Sequence, residues 1–347
     1  GGRDTEFVIT ALNRNKRSVT VDIATPEGQQ IVRELAATSD VVLENYKVGQ
    51  LKKYGLDYES LKAVKPDLVY CSVTGFGQTG PLAERAGYDF IVQGMGGFMS
   101  ITGERDALPG GGPQKAGVAI ADLMTGMYST VAVLAALAHR DRTGEGQAID
   151  MALLDVQVAM LANVGSNFLA SGKAPQRWGN AHQNIVPYQA FRTSDSWIIV
   201  AVGNDGQFRK FVEVGGRPEL ADDARFATNP ERVRHRDVLV PIVAEMVRTR
   251  GKREWIEALE AAGVPCGPIN DVAEVFDDEQ VRARGMRVEA PHPSGAVAPL
   301  VRNPIRMSAT PPEVRSAPPT LGEHTQAVLR EVLGYDEATI AGLRGKT

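Results

Sequence analysis

Between residues 18 and 80 short apolar runs alternate with helical patterns, and that alternation limits the fold more than any other feature of the chain. Ser-Val-Thr-Val-Asp-Ile (18–23) has the period-two pattern of a strand. Thr25-Pro26-Glu27-Gly28 opens a helix, with Thr as cap and Pro in the first turn, where a missing N–H costs nothing. That helix runs on to Ser39; Asp-Val-Val-Leu-Glu-Asn (40–45) is the next strand, 58–64 the next helix and 67–73 the third strand. Strands and helices alternating over short connections predict an α/β fold with a parallel, doubly wound sheet. Ligands of such sheets collect at the carboxyl ends of the strands, here Glu44-Asn45-Tyr46 and Thr74-Gly75-Phe76-Gly77. An irregular stretch, residues 1–7, precedes the first strand, so the strand and helix that often open such a sheet are expected to be missing.

Further along, helices are expected over 123–140 and 151–170, separated by a turn and a short strand within 141–150. From about residue 185 the pattern changes to two strands around a hairpin (184–204), then helices at 205–213, 231–249 and 253–262. Residues 263–271, Gly-Val-Pro-Cys-Gly-Pro-Ile-Asn-Asp, are expected to be a linker, and a closing helix covers 321–334. The expected division is a large Rossmann-like domain, residues 1–184 and 285–347, with a smaller α+β domain over 185–284.

Charge and cysteine content exclude several functions. With 38 basic and 42 acidic residues the chain has no excess of positive charge to hold a nucleic acid. Cys71 and Cys266 are its two cysteines, far apart, so neither a disulfide framework nor a zinc site is expected, and a reducing, cytoplasmic setting fits. The apolar stretch 151–172 is interrupted by Asp155, Gln157, Asn163 and Asn167, which predicts a buried helix and no membrane span. None of the five histidines has metal-ligand spacing, and no metal is expected. Gly75-Phe76-Gly77-Gln78-Thr79-Gly80 matches a dinucleotide fingerprint in form only, because no helix pattern follows directly. It is expected to be a glycine loop lining a pocket, not a nicotinamide or flavin site.

Asp122 carries the clearest chemical signal. It lies where a short apolar run becomes a long helical segment, so helix amides and the helix dipole favour its ionised form. A fixed carboxylate there is either a helix cap or a nucleophile, and the residues themselves leave both open. Lys16, Arg17, Lys47, Lys52, Lys53 and Arg85 fall near element ends, where together they suit a polyphosphate ligand. His182, in the turn Gly179-Asn180-Ala181-His182-Gln183, is the histidine expected nearest a site.

Taken in order, several segments resemble the family III CoA-transferases, the group around the formyl-CoA:oxalate and carnitine CoA-transferases. They are Asn13–Ile23, the Thr25–Gly28 helix start, Val41–Leu61, Gly75–Pro81, Ala86–Phe90, Gly117–Tyr128, Thr143–Gln147, Gly263–Pro268 and Leu321–Thr325. The resemblance implies that Asp122 is a nucleophile that moves CoA from an acyl-CoA to a carboxylic acid through mixed-anhydride and aspartyl-CoA thioester intermediates. It implies CoA contacts at Lys16, Asn45, Tyr46, Lys53, Tyr54 and Arg85, and an active-site lining of Tyr88, Gly179, Asn180, His182 and Gln183. Some members carry a run of glycines at that turn, to shield the intermediates from water. Members also begin with a further strand and helix that contribute to the CoA site, and they form interlocked homodimers.

The same superfamily contains 2-methylacyl-CoA racemases, whose second base is a histidine in a Gly-His-Asp sequence. Here that stretch is Gly87-Tyr88-Asp89, and a tyrosine is a poor α-proton base at neutral pH. A non-catalytic CoA-binding relative is a further alternative. The segments 86–103 and 182–191 look most like members that handle dicarboxylates, with succinyl-CoA as donor and Arg85 or Arg177 pairing a distal carboxylate.

Overall fold

The computed structural model describes residues 12–292, 295 and 297–343. The irregular start at residues 1–7 lies outside them. The described residues form two compact units, one within 12–96, 118–160 and 275–343, the other of 97–117 and 161–274. Residues 97–117 and 161–184, assigned from sequence to the larger domain, thus cluster with the second unit.

In the first unit β1 (Val41–Glu44), β2 (Val69–Thr74) and β3 (Gln147–Ala152) form a parallel sheet in the order β1-β2-β3. β2 is central and almost wholly buried, as a parallel strand covered on both faces should be. The helix Pro26–Ala37 begins as its sequence predicts, with Gly28 N–H donating to the Thr25 hydroxyl at 3.1 Å. Register sets Glu44, Ser72 and Asp150 side by side across the three strands.

Two expectations in or near this unit fail for physical reasons. Residues 18–23 are extended but join no sheet. Ser18 N–H donates to His324 Nδ1 (3.2 Å) and Thr20 N–H to the Thr325 hydroxyl (3.0 Å), so side chains take the place of a strand neighbour. The helix expected over 151–170 is instead the end of β3 followed by two helices, Leu153–Ala159 and Ala162–Ser171. They break where Ala162 takes a positive φ of 46°. Among the described residues, Ile120–Thr143 is long and apolar enough to cross a membrane by length and composition alone. The two helices at Leu153–Ala159 and Ala162–Ser171, bent by 75°, pass only when taken together.

The second unit contains an antiparallel sheet of β4 (Tyr188–Arg192), β5 (Trp197–Ala201) and β6 (Cys266–Pro268). The expected linker 263–271 therefore supplies an edge strand, where prolines are tolerated because they need not donate to a neighbour. Helices Asp205–Val214, Arg236–Val247 and Lys252–Ala261 cover the sheet with Phe208, Phe211, Leu239, Val243, Trp255 and Leu259, all fully buried. An antiparallel pair that the sequence did not announce, β7 (Arg287–Pro291) and β8 (Val297–Val301), belongs to the first unit.

Candidate active site

Asp122 occupies the third position of the 24-residue helix Ile120–Thr143, and the first turn of that helix settles the cap question. Ile120 N–H donates to Val118 O (2.8 Å) and Leu123 N–H to Ala119 O (3.0 Å). Ala121 N–H donates to Asp89 Oδ1 at 2.8 Å, and Asp122 N–H approaches the same oxygen at 3.4 Å. All four opening amides are thus satisfied without the Asp122 side chain, which is left facing a cavity of about 640 Å³. Val73, Gly75, Gly87, Tyr88, Thr125 and Leu153 share its walls.

Partial burial, and then the Asp89 charge, hold the Asp122 carboxyl above its ordinary value. The helix dipole by itself favours the ionised form. Gly75 and Gly87 bring the loop after β2 against the start of the helix Asp89–Met95. A Cβ on Gly87 would lie 2.7 Å from Gly75 Cα, and one on Gly75 2.5 Å from Gly87 Cα. Both contacts are with backbone, so Gly87→Ala is expected to shift Tyr88 and Asp89 and lower kcat by about a hundredfold, the scale of a 1 Å misplacement. Steady-state kinetics checks this; a wild-type kcat would refute it.

Asn45, Tyr46, Arg85 and Tyr88 line a second cavity of about 270 Å³, which shares Asn45, Val73, Gly75, Gly87 and Tyr88 with the first. Lys47 lies on its wall, and the Arg85 guanidinium sits 5.6 Å over the Phe76 ring. Asn45 is held by its amide donating to Val73 O (3.0 Å). Beneath it, Ser72 Oγ donates to Glu44, Gln78 Nε2 donates to Ser72 Oγ (2.8 Å), and Gln78 N–H donates to Asp150 (2.9 Å). The 75–80 loop is fixed by that network and by Gly77 N–H donating to Thr74. Turns follow it, and the next helix opens only at Asp89.

Lys16, Lys53 and Tyr54 are not among the residues of these walls. Lys16 is exposed and donates to Asn13 (2.9 Å). Lys53 is exposed on the short helical turn Leu51–Tyr54, while Tyr54 is half-buried against the Leu56, Leu61 and Tyr70 cluster. The Gly179–Gln183 turn belongs to the second unit. There Gly179 has φ 59°, and a Cβ would meet the Glu104 carboxylate at 2.5 Å. His182 Nδ1 accepts from Asn184 N–H (3.0 Å) and its ring packs 5.4 Å from Tyr188. Arg236 holds the turn by donating to His182 O and Gln183 O at 3.2 and 2.6 Å. Arg177 is committed to Ser100 O, Glu104 O and Asp106, which removes it as a free clamp for a substrate carboxylate. Sequence reasoning weighed Gly87-Tyr88-Asp89 for its tyrosine and gave Asp89 no role; a carboxylate at a helix start was the available signal.

Comparison with known proteins agrees with this geometry. The sequence model of CoA-transferase family III matches residues 2–325. A succinate–glutarate CoA-transferase of Agrobacterium fabrum is 55% identical over 322 residues, 93% of this chain and 80% of that protein. A succinyl-CoA:glutarate CoA-transferase of Mus musculus is 43% identical, covering 96% of this chain and 76% of its own length. The crystal structure of a CaiB/BaiF family protein from Brucella suis superposes with a TM-score of 0.85 at 53% identity, covering 93% of this chain and 83% of that one. The chain is a member of CoA-transferase family III and a CoA-transferase.

Proposed function

We propose that this enzyme moves CoA from succinyl-CoA to a dicarboxylate of glutarate type, with Asp122 as the nucleophile. The observation that carries the reading is the Asp122 carboxylate, free of helix-capping duty and open to a cavity at the sheet's carboxyl edge. The two transferases above support the substrate class.

Asp122 attacks the succinyl-CoA carbonyl; the C–S bond breaks, and a mixed anhydride and CoA thiolate form. The thiolate attacks the aspartyl carbonyl, succinate leaves with one Asp122 oxygen, and an aspartyl-CoA thioester remains. The acceptor carboxylate then attacks that thioester and releases thiolate, which takes up the new acyl group and frees Asp122. No proton is consumed and no water enters, so thioester energy is kept as long as the site stays dry.

Asn45, Tyr46 and Arg85 face CoA or the distal carboxylate from the second cavity, with Lys16, Lys53 and Tyr54 further along the CoA chain. Arg85 is the better clamp of the two arginines, since Arg177 is engaged within its own unit. Tyr88 lines the acyl pocket, and Gly179, Asn180, His182 and Gln183 shield the intermediates. The enzyme works as a cytoplasmic homodimer of doubly wound large domains, each with a smaller α+β domain. A racemase would need a second base opposite Asp122, and among the described residues the cavity walls offer Tyr88 and Asp89.

Intact-protein mass spectrometry after incubation with succinyl-CoA tests the proposal. A CoA-sized adduct that disappears in Asp122→Ala supports it, as does 18O passing from labelled glutarate into succinate. No adduct, with deuterium washing into the α-carbon of a 2-methylacyl-CoA, would overturn it in favour of the racemase.

A further inference from the structure

Asp89 is placed unusually for a carboxylate at the first position of its own helix. Oδ1 reaches across to the amides of Ala121 and Asp122, while Oδ2 accepts from Gln93 Nε2 at 2.6 Å. Gln93 is fully buried, which anchors the carboxylate from behind. The cap residue of the longer helix, Ala119, has no side chain that can accept these amides. An acidic side chain at the third helical position, where Asp122 stands, is well placed to bond the amides of its own first turn.

We infer that Asp89 is the positioning residue for the nucleophile: by taking the Ala121 and Asp122 amides it prevents Asp122 from capping its own helix and holds that carboxylate free toward the cavity. This rests on the proposed role of Asp122. A carboxylate bonded to two amides would be a weakened nucleophile, because its lone pairs would be shared with the donors. Asp89 bears that loss in place of Asp122. Its negative charge also makes Asp122 more basic, adding to the effect of burial. The titratable groups facing Asp122 on the cavity wall are Tyr88 and Asp89, both from the start of the Asp89–Met95 helix. No cation shares that wall among the described residues.

Asp89→Ala removes the acceptor of both helix amides, while Asp89→Asn keeps an amide oxygen for them and removes only the charge. The test measures first-turnover formation of the Asp122–CoA adduct from succinyl-CoA, its pH dependence, and melting temperature. Asp89→Ala is expected to slow the adduct ten- to a hundredfold, because Asp122 then turns to its own helix amides. Asp89→Asn should stay nearer the wild-type rate and move the acid limb of the rate profile to lower pH, because Asp122 then ionises more easily. KM for succinyl-CoA should stay within about twofold. Asp89→Glu, which keeps the charge, should restore the acid limb even if its longer side chain lowers the rate. A wild-type adduct rate in Asp89→Ala would overturn the inference, as would an unmoved acid limb in Asp89→Asn or a change confined to KM. A wild-type enzyme that forms no Asp122-dependent adduct would instead overturn the proposed function itself.

Discussion

Replacing Asp122 by asparagine is expected to lower CoA transfer by at least about a thousandfold while leaving the melting temperature at pH 7 unchanged or slightly raised. The activity loss follows from chemistry, since a carboxamide cannot form the anhydride or the thioester. The stability effect follows from linkage. In the folded protein burial and Asp89 hold the Asp122 carboxyl above its unfolded value of 3.8, so the folded state binds that proton more tightly than the unfolded chain does. The group's contribution therefore worsens as pH rises from the unfolded value through the folded one, and at neutral pH the full penalty is present. Because the side chain opens onto a cavity, water screens much of that penalty and the gain is small. Calorimetry at pH 7 and again near pH 4 should show any advantage of the variant shrinking in acid. A variant with a tenth of wild-type activity would remove Asp122 from the mechanism.

The second large effect is on stability and is expected at Arg232, a fully buried arginine in the second unit. Its Nε donates to Val186 O (2.7 Å), Nη1 to Phe226 O (2.9 Å) and Nη2 to Asp205 Oδ1 (2.8 Å). The guanidinium also lies 4.4 Å over the Phe208 ring. Arg232→Met fills a similar volume but leaves two buried carbonyls without donors, at a cost of about 3–5 kcal/mol. Asp205 remains half-exposed and stays solvated, so it adds little to the loss. The melting transition of that unit should fall by roughly 10–15 °C. Arg232→Lys should recover only part of this, because one ammonium cannot span three acceptors set in a fork. A methionine variant that melts with the wild type would show that the buried network is not holding the unit together.

How much of this was legible in the sequence depended on where the deciding partner lies. β1, β2 and the Pro26–Ala37 helix were readable because their patterns are local: a cap, a proline, a run of β-branched residues. Residues 18–23 have an equally clear strand pattern, yet their amides bond to His324 and Thr325, partners that no nearby residue announces. Cys266–Pro268 reads as a linker by composition and becomes a strand because the open edge of β5 accepts it. In the site, the position of Asp122 at a helix start was visible from the sequence. Its freedom from capping was not, since that depends on Asp89 reaching across from another helix. Arg177 and Arg85 looked equivalent on the page, and only the carbonyls and carboxylate around Arg177 separate them.

The bond between Thr20 N–H and Thr325 joins positions 305 residues apart, and Ile31 packs with Leu329 and Ile340 in one cluster. On the ribosome, at about 5–20 residues per second, the apolar face of the Pro26–Ala37 helix waits some 15–60 s for its cover. For that interval Ile31 and Leu35 are open to chaperones and to neighbouring nascent chains. Truncating the message before codon 325 should therefore yield a protein that is captured or degraded, however well the helices already made have formed. Synthesis of the Leu329–Ile340 segment thus decides how long the Pro26–Ala37 helix stays uncovered.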